Sequence, residues 1–370
     1  MSGLSSEQRQ ALLVGPAGAP PVGMVSNLVN PPSILATGRG ISLVFWIGAS
    51  ICVAIRLYTK ACIIKQLRAS DYMMLISWAL CIGYMVPCWI AGNIAPGVDQ
   101  WNMTLGDFIT LLYYFHVASI IYGICIFFIK ASILLQLVEI FGQQRDYFSW
   151  SCHLLLWTNL IFYLISLLIE VFSCRPVSKA WDILTPGSCL NTRLVNVVAS
   201  SVNCISDLII LVLPQTRIWR LHTAFHRKLT VATVFLLGIT ACASAVVRLA
   251  YAVLLFKTTD NISYFSYMAG LWTIPEIACA VITGCLPSLP RFFQTVSMKG
   301  RFHANLSVGS WWRRERLPTE TWVAKDSRPR DMPGLQGVFP DQYPLTAFAS
   351  APGTVDRTTR PPLRSFVHPC

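Results

Sequence analysis

The sequence predicts an all-α fold: a bundle of seven transmembrane helices followed by a disordered, basic cytosolic tail. Three observations predict it. First, 54% of the 370 residues are hydrophobic and only 12% are charged, against roughly 25% charged in an average soluble domain. A soluble chain of this length still needs a charged skin, so half the usual charge means that much of the surface faces lipid. Second, seven segments reach the ~20 mostly apolar residues that a membrane helix requires. Third, the basic residues between those segments collect mainly in alternate loops. The net charge of +12 is then assigned to cytosolic loops and a tail that face anionic headgroups. The expected partner is membrane lipid, not nucleic acid.

The seven segments are residues 41–57, 72–91, 108–137, 150–172, 194–214, 229–255 and 267–286. Each is apolar nearly all round, as a lipid-embedded helix is and an amphipathic surface helix is not. The third and sixth exceed the bilayer requirement and are expected to tilt or project. Four regions follow: an extracytosolic N-terminal segment (1–40), the membrane domain (41–290), a candidate interfacial helix (291–302), and a disordered Pro-rich basic tail (303–370). Residues 1–40 hold no charged stretch followed by an apolar run, so no cleavable signal peptide is expected.

Loop charges set the direction. The first loop carries Lys60, Lys65 and Arg68, and the fifth carries Arg217, Arg220, Arg227 and Lys228. The second has Asp99 and Asp107 and no base, while the fourth runs contrary with Arg175, Lys179 and Arg193. The balance puts odd loops and the C-terminus in the cytosol and the N-terminus outside. Asn102-Met103-Thr104 and Asn261-Ile262-Ser263 are glycosylation sequons in the second and sixth loops. Cys174 and Cys189 share the fourth loop, on the same expected outer side, where a disulfide between them can form. Other cysteines, such as Cys52, Cys81, Cys125, Cys204, Cys242 and Cys279, lie within apolar runs and behave as small apolar side chains. With no CxxC pair and no Cys/His cluster, no metal site is expected.

Charges inside membrane helices are costly and mark functional candidates. At ~1.5 Å rise per residue, Lys130 on the third helix and Asp207 on the fifth lie at matching depths in the cytosolic half. Arg248 on the sixth and Glu276 on the seventh match in the outer half. Two ion pairs are therefore expected, Lys130–Asp207 and Arg248–Glu276. They can lock helices together, or take part in ligand binding or switching. Glu170 lies near the outer end of the fourth helix, close to water. Pro87 and Pro275 interrupt the second and seventh helices. Tyr113, Tyr114, His116, Tyr122 and Trp272 are candidates for lining an outer pocket, or for packing and interfacial anchoring. No catalytic residue is assigned. The seventh segment lacks a lysine, so a retinal Schiff base has no attachment point and no cofactor is expected.

Several ordered motifs resemble the fungal rhodopsin-like integral membrane family. They are Arg56-Leu57-Tyr58 with Ser70-Asp71-Tyr72, Lys130-Ala131-Ser132-Ile133-Leu134-Leu135, and Cys174-Arg175-Pro176-Val177 through Trp181-Asp182 to Gly187-Ser188-Cys189. Further matches are Ser206-Asp207 through Leu213-Pro214, Ile218-Trp219-Arg220-Leu221, and Leu286-Pro287-Ser288-Leu289-Pro290, with Arg248 and Glu276 at family-typical places. Together they cover about residues 41–293. The family usually has paired acids where Ser70-Asp71 stands and an Arg near Glu139. The resemblance implies a seven-helix, receptor-like or accessory membrane protein. Several relatives, one of them in the satratoxin cluster, are encoded beside mycotoxin biosynthesis genes. Expected partners are a small apolar ligand and a cytosolic signalling protein. Two alternatives stand beside it: a transporter of small apolar metabolites, and a membrane-embedded terpenoid cyclase using Glu170, Asp207 or Glu276 as proton donor. Against the first, seven helices give no obvious inverted repeat. Against the second, both deeper acids have basic partners.

Overall fold

The computed structural model describes residues 6–29, 31–142, 147–218, 225–258 and 261–296, with side chains left out of account over 216–231. Seven of its helices are long and apolar enough to cross a membrane. After a short α1 (Ser6–Val14), the spanning helices are α2 (Leu35–Tyr58), α3 (Ala69–Ile94), α4 (Leu105–Phe141), α5 (Tyr147–Val171), α6 (Thr192–Ile218), α7 (Phe225–Lys257) and α8 (Ile262–Cys285). The seven apolar runs found their helices, with ends displaced by about one to six residues. α6 runs on through Pro214 rather than stopping there. A further helix, α9, covers 289–296. The rest of the expected interfacial segment, and the whole tail, lie outside the described residues.

Each neighbouring pair of spanning helices touches, α2 closes the ring against α8, and α4 also contacts α6 and α8. The core lies where α2, α3, α4 and α8 meet, around Met74, Ile126, Ile129, Ile277 and Val281. The outer surfaces stay apolar. On α5, Leu154, Trp157, Ile161, Leu164, Ile165 and Leu168 are all more than half exposed. Their three- and four-residue spacing makes one stripe, which only lipid can cover.

Helix ends follow local chemistry. α4 starts at Thr104, whose hydroxyl oxygen accepts from the Asp107 N–H at 3.1 Å, a side-chain cap for an otherwise orphaned donor. α2 continues into a π-helical turn, Thr59–Ile64, and ends on Lys65 with φ of 54°.

The face carrying loops 2, 4 and 6 is covered by an ordered cap, which the sequence reading left without structure. Here α1 packs on α4, and the chain after it runs against loop 2. Ala17 N–H donates to the Met103 carbonyl at 2.9 Å, and Leu105 N–H to the Gly15 carbonyl at 2.9 Å. Both sequon asparagines are used inside this cap. Asn102 is 8% exposed and accepts from the Asn27 N–H at 2.9 Å. Asn261 donates to Asp99 and accepts from the Gln100 N–H at 3.1 Å. Glycans had been expected at both positions; packing leaves the Asn102 side chain almost no free surface.

Loop 4 folds on itself as two short antiparallel strands, β1 (Cys174–Arg175) and β2 (Ser188–Cys189), with Cys174 opposite Cys189. These two cysteines form a disulfide across a sequence separation of 15. Gly187 has to be glycine, because a Cβ there would run into the Arg175 carbonyl. Trp181 at the tip packs edge-on against Tyr113 on α4, with centroids 5.3 Å apart.

Two predictions follow from the cap. Replacing Cys174 with Ser should lower stability by about 3 kcal/mol if chain entropy dominates. Intact-mass measurement without reductant should show these two thiols oxidised; finding both free would remove the bridge. The second concerns pH. Arg9 donates to Asp182 at 2.6 Å, joining α1 to loop 4. Burial alone would push the Asp182 carboxyl up. Hydrogen bonds from Thr185 and the Leu184 N–H, with the Arg9 guanidinium, outweigh it and hold the group below its usual range. A depressed folded-state value adds stability above the unfolded value and loses it as pH falls through the folded one. Hydrogen-exchange protection of α1 should therefore hold at neutral pH and fall on acidification below the ordinary Asp range; protection that ignores pH would count against the tether.

Candidate functional site

α6 presents Ser200, Asn203 and Asp207 at three- and four-residue spacing, hence on one face. That face meets Tyr122 and Lys130 on α4, Tyr163 on α5, Arg248 on α7 and Glu276 on α8. Lys130 Nζ lies 2.9 Å from Asp207 Oδ1 and also donates to the Asn203 carbonyl at 3.1 Å. Arg248 Nε lies 2.8 Å from Glu276 Oε2, and its Nη1 donates to Ser200 Oγ at 3.1 Å. Side-chain exposure is 3% for Lys130 and 1% for Glu276.

The sequence reading placed these as two separate pairs in opposite halves of the membrane. The structure joins them. Asn203 Nδ2 donates to Glu276 Oε1 at 2.8 Å and to Asp207 Oδ2 at 3.3 Å. Tyr163 OH donates to Asn203 Oδ1 at 2.6 Å, and Tyr122 OH to Glu276 Oε1 at 2.9 Å. Asn203 stands one turn of α6, ~5.4 Å, from Asp207, and an amide with two donors can serve both acids. Asn203 was missed because a neutral side chain inside an apolar run gives no charge signal.

Two tyrosine rings add to the cations' solvation. Arg248 Cζ stands 5.0 Å from the Tyr122 ring centre and Lys130 Nζ 5.6 Å from that of Tyr163, within reach of cation–π attraction. The formal charges cancel, and each ion has an oppositely charged partner. Buried ions need such compensation, since desolvating either alone costs several kcal/mol.

Most of the candidate outer aromatics serve in packing, one of the two roles open to them. Tyr122 belongs to the charge network, Tyr113 and His116 pack on Trp181, and Trp272 is 38% exposed. Glu170 does not simply reach water; it accepts from Ser119 and lies 3.7 Å from His116.

A second buried cluster sits at the loop-1 end. Arg56 is fully buried; its Nε donates to Asp71 Oδ1 at 2.9 Å, and its Nη2 stands 2.8 Å from the same oxygen as an ion pair. It also donates to Gln136 at 2.7 Å and to the Gly284 carbonyl, joining α2, α3, α4 and α8. The sequence reading quoted Arg56 and Asp71 within a family-like motif without pairing them. The two departures from the family pattern also meet here: Ser70 Oγ donates to Glu139 at 2.8 Å. Lys60 and Arg68 each come within 3.9 Å of the same carboxylate. Where the family usually has an acid and an arginine, this chain has a hydroxyl and an acid, with loop-1 bases supplying the positive charge.

A bundle of seven membrane helices with an internal, neutral polar network defines a class of multi-pass membrane proteins. Residues 55–295 match the family model described as the fungal rhodopsin domain, and the chain belongs to that family. It is 36% identical over 185 residues to a "SAT4 family membrane protein" of Emericella nidulans, an alignment covering 50% of this chain and 46% of the relative. It is 26% identical over 291 residues to "Fugralins biosynthesis cluster protein 2" of Gibberella zeae, covering 76% and 71%. It is 21% identical over 284 residues to "Receptor GIN3" of Arthrobotrys oligospora, covering 72% and 67%. The chain thus matches less than half the length of the first of these. No solved structure matches it.

If Asn203 couples the pairs, Lys130→Met and Arg248→Met should each destabilise by ~3–5 kcal/mol. Together they should depart from additivity by ~0.5–3 kcal/mol. That departure should vanish in an Asn203→Leu background. Thermal unfolding in detergent measures all three terms, and additive losses with Asn203 present would refute a single network.

Proposed function

We propose that this protein is a receptor-like membrane protein that senses a small apolar molecule in the service of secondary metabolism. The observation that carries this reading is the Asn203-centred network, which ties α4, α5, α6, α7 and α8 into one electrostatic unit. Charges held in a membrane interior cannot separate into water, so the accessible rearrangements keep every ion partnered. A unit of that kind suits two discrete helix arrangements, which is what a ligand-biased switch requires. Relatives named as biosynthesis cluster proteins and as a receptor support the same reading.

We further propose that loops 2, 4 and 6 and the N-terminal segment are extracytosolic. The Cys174–Cys189 disulfide in loop 4 favours an oxidising compartment there. Lys60, Lys65 and Arg68 in loop 1 favour the cytosol for the other face. A cytosolic signalling partner would then meet the face that carries the Arg56 cluster.

Deleting the gene in its native host tests this. Neighbouring biosynthetic transcripts should change while the chemical structures of the products stay the same. Accumulation of an uncyclised precursor would instead indicate an enzyme, and intracellular retention of finished product a transporter; either result would overturn the receptor reading.

A further inference from the structure

Between α4, α6, α7 and α8, toward the loop-1 face, lies a cavity of about 240 Å³. Its wall runs from Ile133 to Phe141 on α4, Asp207 to Gln215 on α6, Val234 to Cys242 on α7, and Ala280 to Gly284 on α8, with Pro287 just beyond that helix. Eight residues of helix span ~12 Å, so the space is elongated along the bundle axis. Its deep end is marked by Asp207, Cys242 and Ala280, and its other end by Phe141, Gln215 and Pro287. It exceeds the roughly 150 Å³ apolar cavity that holds a benzene ring.

The lining is mostly apolar, and the charged group open to it is Asp207; Thr283 stands on the same wall. Asp207 brings the charge network to the wall. Thr283, also on the wall, has a buried hydroxyl oxygen with no hydrogen-bond partner. Threonines in helices ordinarily satisfy that group by donating to the carbonyl four residues back. Thr273 on the same helix does so, to Ala269 at 2.9 Å. A buried, unpaired hydroxyl is destabilising unless something else supplies the partner.

We propose that this cavity binds a compact apolar molecule about 12 Å long that carries one hydroxyl or amino group. The skeleton fills the space between the four helices, and the polar group meets the Asp207 carboxylate, whose side chain keeps 16% exposure. Gln136 and Gly284, on the same wall, also accept from Arg56, so one occupant touches both polar clusters. The proposal rests on the receptor reading for its biological use and names the site that reading needs.

The test uses purified full-length protein in phospholipid nanodiscs, titrated with 1-aminoanthracene, an apolar tricycle with one amine whose emission rises on leaving water. Signal from empty nanodiscs is subtracted. A saturable rise is expected, and anthracene, which lacks the amine, should compete roughly two- to tenfold less well than 1-aminoanthracene competes with itself. Ala241→Phe, which fills the cavity from α7, should abolish the saturable component. Ala280→Leu fills it from α8 and serves if the first variant is not monodisperse. Thr283→Val should leave binding within about twofold while raising the melting temperature, because it removes the unpaired hydroxyl. The proposal is overturned if no saturable component exceeds empty nanodiscs or if that component survives the filling variants. It is overturned equally if anthracene competes as well as the amine, which would mark an apolar void or a lipid-chain groove. Because binding is read on isolated protein, a deletion strain with unchanged transcripts would sink the receptor reading and leave this site standing. A failed titration would remove the site without deciding the transcriptional result.

Discussion

The cost of placing charge in lipid is the constraint on which this structure depends. Lys130, Asp207, Arg248 and Glu276 come from four helices, and none could be buried alone. Asn203 satisfies them as a group. It donates to both acids, its carbonyl receives Lys130, and its side-chain oxygen receives Tyr163. Helix α6 packs broadly on α7 but only thinly on α4 and α5, so polar bonds supply much of what fixes it on that side. Ser206 extends the same logic to α5, donating to Asn159 at 2.9 Å. Small polar groups hold membrane helices together where apolar packing gains nothing over lipid.

The Arg56 cluster does the same at the loop-1 end and takes in α2 and α3, which the Asn203 network does not. Its guanidinium is divided among Asp71, Gln136 and Gly284, a use for which the planar, multi-donor arginine is suited and lysine is not. Two clusters thus partition the bundle. One holds α4 through α8, and the other holds α2, α3, α4 and α8. The shared helices, α4 and α8, are also those whose residues fill most of the apolar core.

Much of this architecture is legible in the sequence, for a physical reason. A membrane helix must be long and apolar, so seven runs gave seven helices with ends displaced by only a few residues. Charges within those runs are rare, so depth alone placed Lys130 beside Asp207 and Arg248 beside Glu276. What depth could not show was lateral connection through an uncharged residue, and Asn203 carries no such signal. Arg56 and Asp71 were hidden differently: they sit at helix ends, where a base and an acid read as ordinary loop-flanking residues. The N-terminal cap escaped because α1 is short and polar, and its hold on loop 2 is made by backbone hydrogen bonds that any sequence can offer. The cavity is a property of gaps between side chains, which no single segment encodes.

The arrangement also limits how the bundle can move. A helix shift that separated either ion pair would strand a charge in low dielectric, so accessible rearrangements must carry partners along or exchange them. Asn203 makes independent motion of the two pairs unfavourable, since its amide group contacts both acids at once. Movement of α6 therefore acts on α4, α7 and α8 together. Asp207 is the point at which this coupled unit meets open space, on the cavity wall, and the same wall carries Gln136 and Gly284 from the Arg56 cluster. An occupant of that cavity lies in contact with both clusters without breaking either. It can bias their relative position at a cost set by contacts rather than by charge separation, which is the regime in which a modest binding energy can shift a conformational equilibrium.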